Sequence, residues 1–75
     1  NFIELNHSAA STIYKSGKIS FVKFQKEGTK RTFWTPEFNG QRITNVLFST
    51  LNQAQGVGRD YAIAMNEELK NAVIN

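Results

Sequence analysis

The chain has 75 residues, 40% of them hydrophobic, and a net charge of +3, which describes one small domain whose core is marginal without staples. It contains no Cys, excluding disulfides, thiolate metal sites and cysteine nucleophiles, and no apolar run nears the roughly 20 residues of a membrane span. The opening NFIELNHSAA has neither the basic start nor the long apolar stretch of a signal peptide; the expectation is a cytoplasmic protein without a membrane partner, residues 1–75 forming a single domain.

Strands come first. Ala10–Tyr14 (ASTIY) and Ile19–Gln25 (ISFVKFQ) flank Lys15-Ser16-Gly17-Lys18, where a two-residue turn at Ser16-Gly17 can use glycine's positive φ. A second turn, Lys26-Glu27-Gly28-Thr29, leads into Lys30–Thr35 (KRTFWT), which is rich in β-formers. Pro36 is expected to end that strand, because it cannot donate to a central ladder. The result is a three-stranded meander.

Two-residue turns would set Tyr14 against Ile19, Thr12 against Phe21, Phe21 against Trp34 and Lys23 against Thr32. One face then collects Tyr14, Ile19, Phe21, Lys23, Gln25, Lys30 and Trp34. The other collects Ile13, Lys18, Ser20, Val22, Phe24, Arg31 and Phe33. The second set is more plainly aliphatic and phenyl, so it is assigned to the core and the first to a ligand.

Past the turn signal Asn39-Gly40, QRITNVLFSTLNQAQ places Ile43, Val46, Leu47, Leu51 and Ala54 at helical spacing, which favours a helix, although Ile43, Val46, Phe48 and the threonines also suit a fourth strand. Gly56-Val57-Gly58 is expected to break it. Asp60 then caps a final helix whose buried stripe is Tyr61, Met65, Leu69, Ala72 and Val73, with Asn66, Glu67 and Lys70 facing water.

The charge is unevenly spread over these elements. Between Lys15 and Arg31 stand six of the nine basic residues and one acid, Glu27; that is +5 locally and −2 for the remainder. Phe21, Phe24, Phe33 and Trp34 are interleaved with those bases or follow them closely. Cations meet phosphates while aromatic faces stack on bases, so a basic, aromatic sheet surface suits a polyanion. The bland uses of the same residues are Trp34 as a core anchor and the lysines as a solvated face or edge protection.

Enzymatic chemistry is poorly served. His7 is the only histidine, without the partners of a metal site. Glu67 and Glu68 are adjacent on a helix and point about 100° apart, wrong for an acid–base pair. Gly56-Val57-Gly58-Arg59 before a helix invites a phosphate-loop reading. It lacks a preceding strand and a Gly-Lys-Ser/Thr ending, and Asp60 would occupy the free amides, so a plain inter-helix loop is expected. No cofactor is implied.

IYKSGKI followed by a basic meander and QAQGVGRDYAIAMNEEL resembles the small phage-encoded inhibitors of type I-F CRISPR interference. The matching positions are Tyr14, Gly17, Lys18 and Ile19, then Gly56, Gly58, Arg59, Ala64, Met65, Asn66 and Glu67, about a fifth of the chain, with a one-residue offset between Arg59 and Ala64. The resemblance implies a non-enzymatic protein that coats a crRNA-guided complex and blocks DNA access, working from the sheet through Tyr14 and Lys18.

The sequence thus describes an α+β fold, a three- to four-stranded antiparallel sheet with one or two C-terminal helices on one face. Its leading function is non-catalytic binding of single-stranded nucleic acid across the open face, Tyr14, Phe21 and Trp34 stacking while Lys18, Lys23, Lys30 and Arg31 contact phosphates. The competing function is an inhibitor or adaptor that docks on an acidic protein or ribonucleoprotein surface. A homodimer through the sheet edge or face is a third reading.

Overall fold

The structure is a computed structural model that describes the backbone of residues 1–74 and the side chains of residues 1–5 and 11–66. Four strands, β1 (Phe2–Tyr14), β2 (Gly17–Lys26), β3 (Thr32–Phe38) and β4 (Gln41–Arg42), form an antiparallel sheet in the order β1-β2-β3-β4, and one helix, α1 (Leu51–Ile74), follows. The fold is α+β, with the meander in place. The side chains of His7, Glu67, Glu68, Leu69, Lys70, Ala72 and Val73 lie outside the described residues.

Strand β1 starts eight residues before the expected Ala10. Its register against β2 slips between Leu5 and Ser8 and again between Ala9 and Thr12. Such bulges interrupt the two-residue alternation by which a strand is read, and the intervening NHSAAS carries little apolar signal. The first turn falls at Lys15-Ser16 rather than Ser16-Gly17, pairing Tyr14 with Gly17 and Thr12 with Ile19. In the second hairpin Lys23 pairs with Trp34, Phe21 with Pro36 and Gln25 with Thr32. Each observed pairing of β2 with β3 differs from the expected one by two residues, an even slip that leaves the face assignments of both strands unchanged.

Which face the helix covers is the reverse of the expectation, although Phe24 and Thr35 on the expected core face are buried as well. Ile19, Phe21, Ala54 and Ala62 make the main core cluster, with Tyr14, Trp34, Phe38, Phe48, Leu51 and Tyr61 packed around it. The helix therefore covers the Ile19–Phe21 face, the one assigned to a ligand. Small residues decide this: Ala54, Gly58 and Ala62 recur every fourth position and bring the helix backbone close to the sheet. A Cβ on Gly58 would lie 2.8 Å from Ile19 Cγ2 and 3.5 Å from both Phe21 Cε1 and Pro36 Cβ. Glycine is here a contact surface rather than a helix breaker.

One continuous helix replaces the two expected, and residues 41–50 are not helical. Asn39 and Gly40 both have positive φ, 50° and 86°, the pattern of a two-residue hairpin turn, which sends Gln41 and Arg42 back along β3. The chain leaves that ladder and returns at Phe48, whose N–H and C=O bond the C=O and N–H of Trp34, both at 2.7 Å. Thr50 rather than Asp60 caps the helix, its Oγ1 accepting from the N–H of Gln53 at 3.2 Å.

Pro36 does not end β3; it sits buried inside it. The N–H and C=O of Trp34 point at Phe48, so two residues on the proline nitrogen faces the same edge, where residues 43–47 have left the ladder. A missing donor there removes no hydrogen bond.

Gly17 ties the first turn to the third. Its φ is +154°, and a Cβ would lie 2.5 Å from Phe38 Cζ and 2.8 Å from Asn39 Nδ2. Asn39 also accepts from the Lys18 N–H through Oδ1 at 2.9 Å and donates its own N–H to the Lys18 C=O at 2.8 Å. Gly17→Ala combines an unfavourable φ with a clash against a ring held by Tyr61. It is expected to cost about 2 kcal/mol or more, read as a fall in Tm of roughly 8–16 °C in thermal unfolding followed by circular dichroism.

Candidate functional site

The seven residues singled out in the sequence do not share a surface. Phe21 is 2% exposed, beneath the helix; a buried ring cannot stack on a base, and that assignment is corrected. Tyr14 and Trp34 are half-buried on the same helix-covered side and pack against the core. Lys23 lies beside Trp34, its Nζ 5.3 Å from the ring centroid, so indole and ammonium do come together. Lys18 alternates to the opposite face, opposite Ile13. Lys30 and Arg31 are exposed in the loop between β2 and β3.

The helix-free face was assigned to the core, and it carries cations instead. The Arg31 guanidinium lies 5.3 Å from the Phe33 ring centroid, and Phe2 meets the same ring edge-on at 5.4 Å. The Arg42 guanidinium lies 4.8 Å from the Phe24 centroid. Phe24 is only 5% exposed, so this face has an aromatic floor roofed by arginine. A guanidinium on a ring keeps its outer plane and its N–H groups for a ligand. Thr35, also on this side, is buried and donates to the C=O of Val46 at 3.1 Å; residues 43–47 therefore cover part of the face.

Lys26, Arg31, Arg42 and Lys18 thus string along the helix-free side. Eight residues separate Lys26 from Lys18 on β2, roughly 26 Å at a strand's rise. The acids on that face are Glu4, paired with Phe24, and Glu37, paired with Ser20 on one side and Arg42 on the other.

Arg42, Lys26 and Phe2 were missed in the sequence. Arg42 was readable: Asn-Gly between Glu37-Phe38 and Gln41-Arg42 is a strong short-range hairpin signal, but the helical spacing downstream outweighed it. Phe2 had no comparable mark, because its strand is broken by bulges.

The loop at this end of the sheet is tightly bonded. Lys26 donates its N–H to the Arg31 C=O at 3.0 Å, and the Thr29 N–H and Oγ1 both donate to the Lys26 C=O, at 3.1 and 2.9 Å. Arg31 N–H donates to Thr29 Oγ1 at 3.1 Å, and Gln25 Nε2 donates to the Thr29 C=O at 2.7 Å. The Glu27 N–H reaches the C=O of Asn1 at 2.9 Å. These bonds give the basic hairpin tip a fixed shape.

Elsewhere, an open recess of about 210 Å³ is lined by Tyr14, Lys15, Ala62, Ile63 and Asn66. Among the described residues no group of three His, Cys, Asp or Glu gathers to hold a metal, and no helix is long and apolar enough to cross a membrane. No protein family, curated protein or solved structure matches the chain.

Proposed function

We propose that this protein is a non-catalytic binding module for single-stranded nucleic acid, held along the helix-free face of the sheet. The observation that carries the reading is the pair of guanidiniums seated on rings, Arg31 on Phe33 and Arg42 on Phe24. Each is preorganised by its ring, so less rotamer freedom is lost when a base stacks on it or a phosphate takes its N–H groups. Lys18 and Lys26 extend the cationic track in both directions. Among the described residues α1 carries a single basic side chain, Arg59, rather than the basic and amide array of a recognition helix, so binding is independent of base sequence.

A mixed-sequence oligonucleotide titrated by fluorescence anisotropy tests this. Four phosphate contacts give a slope of about −3 in log K against log salt concentration. The double substitution Arg31→Ala and Arg42→Ala should bring the slope to about −1.4 and weaken binding at about 50 mM salt by tenfold or more. Absence of binding by the unsubstituted protein at that salt rejects the reading.

A second reading, docking on a protein or ribonucleoprotein surface, is favoured by the recess beside Tyr14. There exposed Ile63 and the Lys15 side chain offer an apolar and a cationic contact together. It becomes the leading one if oligonucleotides fail.

A further inference from the structure

We infer that the outer edge of β1 is a docking site for a second copy of this chain, the two β1 strands pairing antiparallel so that both sheets become one. β1 is the longest strand, 13 residues, and its ladder partner is β2 alone. Its other edge therefore presents unpaired N–H and C=O groups. Soluble proteins commonly blunt such an edge with lysine, proline or a covering element. Here FIELNHSAASTIY holds no Lys, Arg or Pro, and the helix packs on β2 and β3. The two bulges lie between Leu5 and Ser8 and between Ala9 and Thr12, so they blunt only the middle of the strand. Its two regular ends carry exposed Phe2, Ile3 and Ile13, the last 82% exposed.

These ends complement each other. A two-fold axis normal to the sheet brings like faces together across the join. Phe2, opposite Lys26, and Ile13, opposite Lys18, lie on the helix-free face; Ile3, opposite Gln25, and Thr12, opposite Ile19, lie on the other. Setting Phe2 of one copy against Ile13 of the second matches faces there and at the next pair, Ile3 with Thr12. Symmetry makes both pairs twice. Glu4, the one acid in a strand without Lys or Arg, then stands opposite Ser11 rather than a second Glu4, so like charges do not meet. The helices fit as well. With each lying over β2 and β3, their axes stand roughly four strand spacings apart, about 19 Å, beyond the roughly 10 Å at which helices collide.

Sedimentation equilibrium of the whole chain, without nucleic acid, tests the edge. The mass at about 100 μM is expected to be twice the 8.5 kDa of one chain. Ile13→Lys should keep the circular dichroism spectrum and raise the dimer dissociation constant at least about a hundredfold, because a two-fold interface loses the contact twice. The chain has no cysteine, so disulfides can report the register. Phe2→Cys mixed with Ile13→Cys should cross-link under mild oxidation at least about tenfold faster than either variant alone, since only the mixture sets one thiol opposite another. A single-chain mass overturns the second copy and leaves the edge to an added peptide strand. A dimer that persists in Ile13→Lys, or a mixture that cross-links no faster than its components, overturns this pairing. Arg31 and Arg42 lie off β1, so the double alanine variant should dimerise like the parent, which keeps the edge and the nucleic-acid reading separately testable.

Discussion

Phe21→Ala is expected to cost about 3–5 kcal/mol, a large share of the roughly 4–11 kcal/mol available to a chain of this length. Phe21 is 2% exposed and sits where β2, β3 and the helix converge, opposite Pro36 and beside Gly58. Truncation leaves a cavity lined by Ile19, Pro36 and helix backbone, and a helix already in close contact through Ala54, Gly58 and Ala62 cannot sink far enough to fill it. Urea denaturation followed by circular dichroism should place the midpoint about 1–5 M below that of the parent. Retention of a cooperative transition within about 1 kcal/mol of the parent, with oligonucleotide binding lost, would instead return Phe21 to the binding surface and invert the two faces.

The two helical glycines are expected to respond in opposite directions, although they lie two residues apart. At Gly56 a Cβ meets nothing within 4 Å, so Gly56→Ala gains helix propensity alone, about 1 kcal/mol. At Gly58 the Cβ would lie 2.8 Å from Ile19 Cγ2, a branched side chain 1% exposed that cannot swing aside. Gly58→Ala gains the same propensity and loses more to overpacking, about 1–3 kcal/mol. Gly58→Leu forces the helix off the sheet and is expected to abolish cooperative unfolding. Thermal melts rising by about 4–8 °C for Gly56→Ala and falling for Gly58→Ala check the pair. Equal stabilisation by both would mean that the helix does not lie against Ile19, Phe21 and Pro36.

These two positions also show where reading along the chain stops working. Gly56-Val57-Gly58 was taken as a break, since glycine disfavours a helix by about 1 kcal/mol per residue in isolation. The gain from close packing on the sheet face exceeds that, but it depends on Ile19 and Pro36, distant in sequence. Pro36 follows the same logic. Its lost donor is harmless only because residues 43–47 leave that edge, which no local rule reveals.

The candidate site was half legible. Two cation–ring neighbours, Lys23 with Trp34 and Arg31 with Phe33, lie in the stretch that composition singled out, because strand alternation and a short loop bring them together. Their division between faces also survived a register error of two residues. What failed was the choice of the wet face. Both faces carry large apolar side chains, and only the docking of the helix ranks them.

The sequence by itself determined the meander, the helical character of the C-terminal third and the concentration of positive charge around the β2–β3 hairpin, since turn chemistry, periodicity and charge are local quantities. The tertiary structure alone decided which face the helix covers, that Phe21 is core, and that Arg42 from a two-residue strand reaches Phe24. Those outcomes follow from contacts between segments far apart in the chain, where the fit of Gly58 against Ile19, Phe21 and Pro36 outweighs every local preference.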